Sequence, residues 1–201
     1  MIPGADRKGP TLDRIEQLDW GVYSFFVFLA NKTPEIPQLL HVEWAARAGE
    51  PFVVAVIVAV ALVSLFIQRR WRDALVAILA FALALGTIEL TKWIVPRKRP
   101  EDARNLIPDA DMLGSYPSSS VLLFTLAMVL LGFALWNVMT AVWQKAMFVL
   151  VAILLVVWVC MAQFFLALHF LTDILGGLAG AAFFVYLCVQ FLKRDETRQT
   201  E

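Results

Sequence analysis

Charged residues are scarce in this chain: they make up 17% of its 201 positions, against roughly a quarter in a soluble domain. Cysteine and histidine are also rare, with two of each. Cys160 and Cys188 lie inside apolar stretches, so they are predicted to be small buried hydrophobes and neither a disulfide framework nor a metal pair. Seventeen cationic residues balance seventeen acidic ones, so no basic surface predicts a nucleic-acid partner.

Hydrophobic residues are abundant instead, at 60% of positions. A bilayer core is about 30 Å thick, and a helix needs roughly 20 apolar residues to cross it. Five stretches meet or approach that length, which predicts an all-α, polytopic transmembrane helical bundle. They are about Pro51–Ile67, Ala74–Val95, Ser118–Val138, Ala146–Leu168 and Leu171–Leu192.

The segment Trp20–Ala30 is apolar but too short to span a bilayer of ordinary thickness. Two interpretations stay open: an interfacial or re-entrant helix, or a span completed by its neighbours. The predicted organisation is an N-terminal polar segment with this short helix over residues 1–50, a transmembrane domain over 51–192, and a polar tail over 193–201.

The cations in the loops predict the orientation. Three groups fall on the same side of five spans, and by the positive-inside rule that side is cytoplasmic. They are Arg69, Arg70 and Arg72; Lys145; and Lys193, Arg194 and Arg198. We therefore expect an integral plasma (inner) membrane protein with a cytoplasmic C-terminus. The loop Pro96–Pro117 and the break near His169 share the opposite face, where Arg97, Lys98, Arg99 and Arg104 oppose the rule and invite a functional explanation.

The second long span ends in Lys92, followed by Arg99 and Pro100. A lysine and an arginine placed in this way can hold a phosphate from two directions, the arginine as a planar fork. The alternative is that they anchor the helix end to lipid headgroups. Glu89 precedes Lys92 by three residues, a spacing that favours an intrahelical ion pair over proton handling.

The third long span opens with Ser118, Ser119 and Ser120 after a proline. Hydroxyl groups and free backbone N–H groups at a helix start favour an anion. The alternative is a serine-rich N-cap that only satisfies the first amides of the helix.

His169 and Asp173 precede and open the last span. Their spacing of four predicts an imidazole and a carboxylate on one helical face, with the carboxylate fixing the tautomer and leaving the other ring nitrogen as a nucleophile or base. The alternative is a structural hydrogen bond at the membrane surface. His41, in the first outer loop, is interpreted as a surface residue.

Together these segments resemble the type 2 phosphatidic acid phosphatase family, membrane lipid phosphatases that share a fold with vanadium haloperoxidases. The family pattern is Lys-x6-Arg-Pro, then Pro-Ser-Gly-His, then Ser-Arg-x5-His-x3-Asp. The first motif is complete from Lys92 to Pro100; the second appears as Pro117 to Ser120, and the third as Ala162 to Asp173. The resemblance covers roughly residues 51–192.

The resemblance implies roles for individual residues. Lys92, Arg99 and Ser118, with Ser119 beside them, would bind phosphate; His169 would attack phosphorus, and Asp173 would orient it. Four positions depart from the pattern. Ser120 replaces the histidine that protonates the leaving group, Gln163 the second arginine, Ala162 the serine before it, and Ser119 the glycine.

Two classes of function follow. One is a catalytically impaired relative that binds a lipid headgroup or serves as an accessory subunit of a membrane-protein complex. The other is an active, metal-independent lipid phosphate or diphosphate phosphatase that forms a phosphohistidine. Loss of a general acid typically costs about 10²–10⁴-fold in rate, which favours the first class. The expected ligands are membrane lipids such as polyprenyl or glycerolipid phosphates. No cofactor or metal is predicted.

Overall fold

The computed structural model describes residues 10–100 and 114–198, and the regular structure in these ranges is entirely helical. Arg104, the first nine residues and the last three lie outside the described residues. The all-α prediction is confirmed. The helices of the described ranges are α1 (Pro10–Lys32), α2 (Glu35–Leu39), α3 (Val42–Ala48), α4 (Pro51–Ile67), α5 (Trp71–Ile94), α6 (Ser119–Leu135), α7 (Val142–Phe165) and α8 (Leu171–Arg198).

All five stretches predicted as spans form helices, but they differ in length. By length and composition three segments in the described ranges can cross a membrane: Trp71–Ile94, Val142–Phe165 and Leu171–Phe191. The pair α3 and α4, bent by 56°, provides a fourth if it counts as one span. The stretch predicted as Ser118–Val138 gives the apolar helix α6 of 17 residues, which is short for a span.

α1 is longer than the predicted segment Trp20–Ala30. It runs for 23 residues because its polar first half is also helical, with a proline at the first position and Asp13 in the first turn. Both features favour a helix start. α1 packs against α7 and α8, so this N-terminal helix is part of the bundle.

α6 lies at the centre of the bundle. It packs chiefly against α4 and α8, and ten of its residues are buried. A helix that is apolar all round is suited to this central position. Its first turn fits closely against α8: a methyl group added at Gly177 would lie 2.8 Å from the carbonyl oxygen of Ser118. Gly177 therefore brings the start of α6 against the start of α8.

The two ends of the bundle differ in character. At one end the α4–α5 turn meets the end of α6, where Gln68 Nε2 donates to the Ala134 carbonyl at 2.8 Å and Arg70 covers the Phe133 ring. At the other end the segments 95–100, 114–118 and 166–173 meet. The polar segments singled out in the sequence thus share one end, while the cytoplasmic side stays a prediction.

Candidate functional site

Backbone hydrogen bonds join the three polar segments. The carbonyl oxygen of Arg97 accepts from the amides of Gly114 at 3.1 Å and Ser115 at 2.9 Å. The amide of Ser118 donates to the carbonyl oxygen of Asp173 at 3.0 Å. The first two segments are thereby fixed to each other, and the second is fixed to the third.

His169 does not lie on the helix that carries Asp173, contrary to the helical-face prediction. α8 begins at Leu171, so His169 occupies the connection before it. The helix starts there because Asp173 Oδ2 accepts from the amide of Phe170 at 3.0 Å, which caps the first turn. His169 Nδ1 lies 3.6 Å from the same oxygen, which is longer than a hydrogen bond. The two side chains are 3% and 0% exposed, so the contact is electrostatic and enclosed by protein.

The environment of His169 favours its neutral form. Burial lowers the pKa of His169 below its ordinary value, and the positive charge of Arg99 lowers it further. Asp173 and the backbone carbonyl of Ser115 oppose this shift, but burial dominates. A neutral imidazole is the form that a nucleophile or base requires.

Arg97, which the sequence left without a role, is held by hydrogen bonds to two carboxylates. Its Nη1 donates to Asp173 Oδ1 at 2.8 Å, and its Nη2 donates to Asp19 Oδ2 at 2.6 Å. The guanidinium also covers the Phe170 ring, 4.5 Å from its centroid. Arg97 is therefore a counter-ion for two carboxylates, Asp173 of α8 and Asp19 of α1.

Asp19 also caps α8, although it lies on α1. Its Oδ1 accepts from the amide of Thr172 at 2.9 Å, and its Oδ2 accepts from the Thr172 hydroxyl at 2.7 Å. Asp19 is 1% exposed although it is ionisable. Because Asp19 and Asp173 occupy the electropositive start of α8, that helix end is satisfied by the protein's own carboxylates.

The start of α6 differs from the start of α8. Ser118 is fully buried, and its hydroxyl has no hydrogen-bond partner among residues 10–100 and 114–198. Ser119 follows as the first residue of α6 and is half-buried. A buried polar group of this kind generally requires an explanation, and an anion at the helix start is one.

The remaining sequence-predicted phosphate ligands, Lys92 and Arg99, lie at the end of α5 and on the segment after it. The positive charge of Arg99 lowers the pKa of His169, so this arginine lies near the imidazole. Lys92 lies in the last turn of α5, with its stem against Gly114, where an added methyl group would lie 2.8 Å from the lysine Cβ. Its Nζ is 3.6 Å from Glu89 Oε1, which confirms the predicted ion pair.

Two of the four positions that depart from the family pattern are packed against α3 and the turn after it. A methyl group added at Gly49 would lie 2.6 Å from Ser120 Cβ, so the two residues are in direct contact. Ala162 is fully buried in a cluster with Val42 and Ala45 of α3. Gln163 beside it is 2% exposed. α3 and the turn after it thus cover Ser120 and Ala162, two of the positions that depart from the family pattern.

A cleft of about 320 Å³ opens between α1 and the segment that carries Arg97. Its lining residues are Glu16, Trp20, Arg97, Lys98, Arg99, Pro100 and Phe170. A larger, apolar groove of about 570 Å³ runs between α6 and α7, away from the polar end of the bundle. Arg97 and Arg99 of the polar site line the smaller cleft, so the site is not at the larger cavity.

A family model for the PAP2 superfamily matches residues 73–196. The chain belongs to the PAP2 superfamily. A crystal structure of a transmembrane PAP2-type phosphatidylglycerolphosphate phosphatase from Bacillus subtilis has the same fold, with a TM-score of 0.74 over 90% of this chain and 88% of that one, at 21% sequence identity. No curated protein matches the sequence significantly. The PAP2 match begins after α1, so Asp19 lies outside it.

Sequence reasoning missed Asp19, Arg97 and Thr172. The sequence did single out Arg97, because it is one of the cations that oppose the positive-inside rule. Asp19 and Thr172 belong to no motif. They become part of the site only because α1 packs against the start of α8.

Proposed function

We propose that this PAP2 protein binds the phosphate headgroup of a membrane lipid at the polar end of its bundle and hydrolyses monophosphate esters weakly or not at all. The site lies on the non-cytoplasmic face of the plasma (inner) membrane in this proposal. Lys92, Arg99, Ser118 and Ser119 hold the phosphate.

The observation that carries the proposal is the contact between Ser120 and Gly49. At the position where the family resemblance calls for a histidine that acts as general acid, a serine packs against Gly49. A serine hydroxyl is far too weak an acid at neutral pH to protonate a lipid alkoxide. General acid catalysis typically contributes about 10²–10⁴-fold, so its loss removes most of the rate for a monophosphate ester.

The substitution of Gln163 acts in the same direction. A buried glutamine carries no charge, and it replaces an arginine that the resemblance assigns to the phosphate. The planar, bidentate contact of an arginine is therefore lost at this position. Lys92 and Arg99 remain as cations for binding, and the hydroxyl of Ser118 adds a donor at the helix start.

One observation favours residual chemistry. His169 is buried beside Asp173 and favours its neutral form, as a nucleophile requires. Hydrolysis of a lipid diphosphate expels a phosphate group, whereas hydrolysis of a monophosphate ester expels an alkoxide. The phosphate is the better leaving group and needs little protonation. The second candidate function is therefore slow hydrolysis of a lipid diphosphate, such as a polyprenyl diphosphate, through a phosphohistidine.

The chemical class of ligand is a phosphorylated lipid. The similar Bacillus protein is named for a glycerolipid phosphate, phosphatidylglycerolphosphate, which supports this class for the present chain. An accessory role in a membrane complex is a further form of the proposal. Co-purification of a fixed partner in mild detergent tests it.

Binding of phosphatidic acid to the detergent-purified chain tests the main proposal. Lys92→Ala is expected to weaken binding by roughly tenfold to a hundredfold, because a hydrogen bond to a charged group contributes about 1.5–3 kcal/mol. The matched control is Lys145→Ala, which removes a lysine that belongs to none of the motifs, lies in the first turn of α7 and contacts Trp136 at the other end of the bundle. Equal affinity of all three proteins would refute the phosphate site.

A further inference from the structure

Asp19 provides the least expected contact of the site. It lies on α1, 78 residues from Arg97 and 153 residues from Thr172 along the chain, yet it bonds to both. An aspartate that is 1% exposed is costly unless it is paired and hydrogen-bonded. Here both oxygens are used, by an amide, a hydroxyl and a guanidinium.

The guanidinium of Arg97 donates hydrogen bonds to two carboxylates, Asp19 and Asp173. Nη2 faces Asp19, whereas Nη1 faces Asp173 and the Thr172 hydroxyl, so Asp19 and Thr172 fix the direction from which Arg97 reaches Asp173. Arg97 takes Oδ1 of Asp173, while Oδ2 faces the Phe170 amide and the His169 ring. The orientation of the carboxylate that His169 meets is thus tied to an arginine, and the arginine is tied to α1.

We propose that Asp19 is a positioning residue for His169, acting through Arg97 and Thr172 on the carboxylate of Asp173. Arg97 is then a fixed counter-ion within the protein and does not bind the phosphate. α1, although outside the matched PAP2 segment, completes the site. This inference rests on the proposed site but not on its ligand, because the imidazole itself can be observed.

The charges around His169 predict the direction of the effect. Asp173 of α8 and Asp19 of α1 are negative, whereas Arg97 and Arg99 of the segment after α5 are positive. Neutralising Asp19 leaves Arg97 balanced by Asp173 alone and lets it draw that carboxylate away from the ring. Both changes disfavour the imidazolium, so the His169 titration is expected to move to lower pH.

The chain is well suited to this measurement because it has two histidines. In full-length protein labelled with ¹⁵N-histidine and held in detergent micelles, NMR can follow the tautomer and titration of each ring. His41 is exposed and provides an internal reference. The variants are Asp19→Asn, Asp19→Glu and Thr172→Val, and the matched control is Asp13→Asn, which removes an exposed carboxylate from the same helix.

The proposal predicts that Asp19→Asn shifts the His169 resonances and moves the titration to lower pH, by more than any change at His41. Asp19→Glu should restore part of the wild-type behaviour, and Thr172→Val should give a smaller shift in the same direction. Asp13→Asn should change nothing at His169. A purely structural role for Asp19 would lower thermal stability without this selective shift.

An unchanged His169 spectrum in folded Asp19→Asn would overturn the inference, and so would an equal shift in Asp13→Asn. If Asp19→Asn does not fold, Thr172→Val decides in the same way, since valine keeps the shape of threonine and removes only the hydroxyl. Failure of phosphatidic acid to bind would refute the proposed function and leave the titration result intact. The proposed function and the positioning role of Asp19 can therefore be refuted independently.

Discussion

Arg97 Nη1 donates a hydrogen bond to Asp173 Oδ1 at 2.8 Å, while Asp173 Oδ2 lies 3.6 Å from His169 Nδ1. The carboxylate expected to orient the histidine is therefore shared with an arginine that the motifs do not include. Hydrogen-bonded ion pairs of this kind hold a buried carboxylate ionised. The same bond makes the polar end of the bundle sensitive to substitutions in the segment after α5.

Arg97→Met is expected to destabilise the protein by roughly 3–5 kcal/mol, because it leaves two buried carboxylates without their cation. Thermal unfolding in detergent measures the loss. Lys98→Met is the matched control, since Lys98 is exposed on the same segment. The double variant Asp19→Asn/Arg97→Met should recover about 1 kcal/mol or more relative to additivity. Strict additivity would contradict the ion-pair account.

Gly177→Ala tests the contact between α8 and α6. The added methyl group would lie 2.8 Å from the Ser118 carbonyl oxygen, so the helices must separate, at a cost of about 1–3 kcal/mol. Gly86→Ala is the control, because a methyl group there meets nothing within 4 Å and gains up to about 1 kcal/mol of helix propensity. The two melting temperatures should move in opposite directions. A fall of equal size in both variants would argue against a specific contact at Gly177.

Ser120→His is not expected to restore efficient catalysis, although it supplies the residue that the family pattern has. Ser120 already packs against Gly49, so we expect the larger side chain to destabilise the protein by about 1–3 kcal/mol. Ser120→Ala, which keeps the small size, should retain wild-type stability and phosphatidic acid binding. A His169-dependent gain of about 10²-fold or more in phosphate release by Ser120→His would contradict this steric account.

The buried His169 should make stability fall in mild acid. Because burial lowers its pKa in the folded state, the unfolded chain binds a proton first as the pH drops below about 6.5. The wild type should therefore lose up to about 1.4 kcal/mol per pH unit below that point, until the folded-state histidine is also protonated. Melting temperatures between pH 8 and 5.5 should fall less in His169→Asn than in the wild type. His41→Asn, at an exposed position, is the matched control.

The sequence predicted the parts of the fold that follow from local patterns. Long apolar stretches predicted the helices, and α4 has the predicted bounds Pro51–Ile67. The predicted order of spans and loops placed Lys92, Ser118 and His169 at one end of the bundle, where the structure also has them. Boundaries were less accurate: α8 begins two residues after His169 because the carboxylate of Asp173 caps it there.

What the sequence could not predict depends on contacts between distant elements. The bond from Asp19 to Arg97 joins polar residues 78 positions apart, and no periodicity links them. The contact of Ser120 with Gly49 depends on the bend between α3 and α4, which helix propensity does not specify. The absence of the histidine that acts as general acid was visible in the sequence, but the contact of Ser120 with Gly49 was not.

Phosphate release by the purified protein distinguishes an impaired phosphatase from an active one. The substrates are matched lipid mono- and diphosphates, and the controls are His169→Ala and His41→Ala, which remove the buried and the exposed histidine. We expect little release from the monophosphate. Any release from the diphosphate should be abolished by His169→Ala and unaffected by His41→Ala. Rapid release from the monophosphate that depends on His169 would contradict this expectation and identify the chain as an efficient lipid phosphatase.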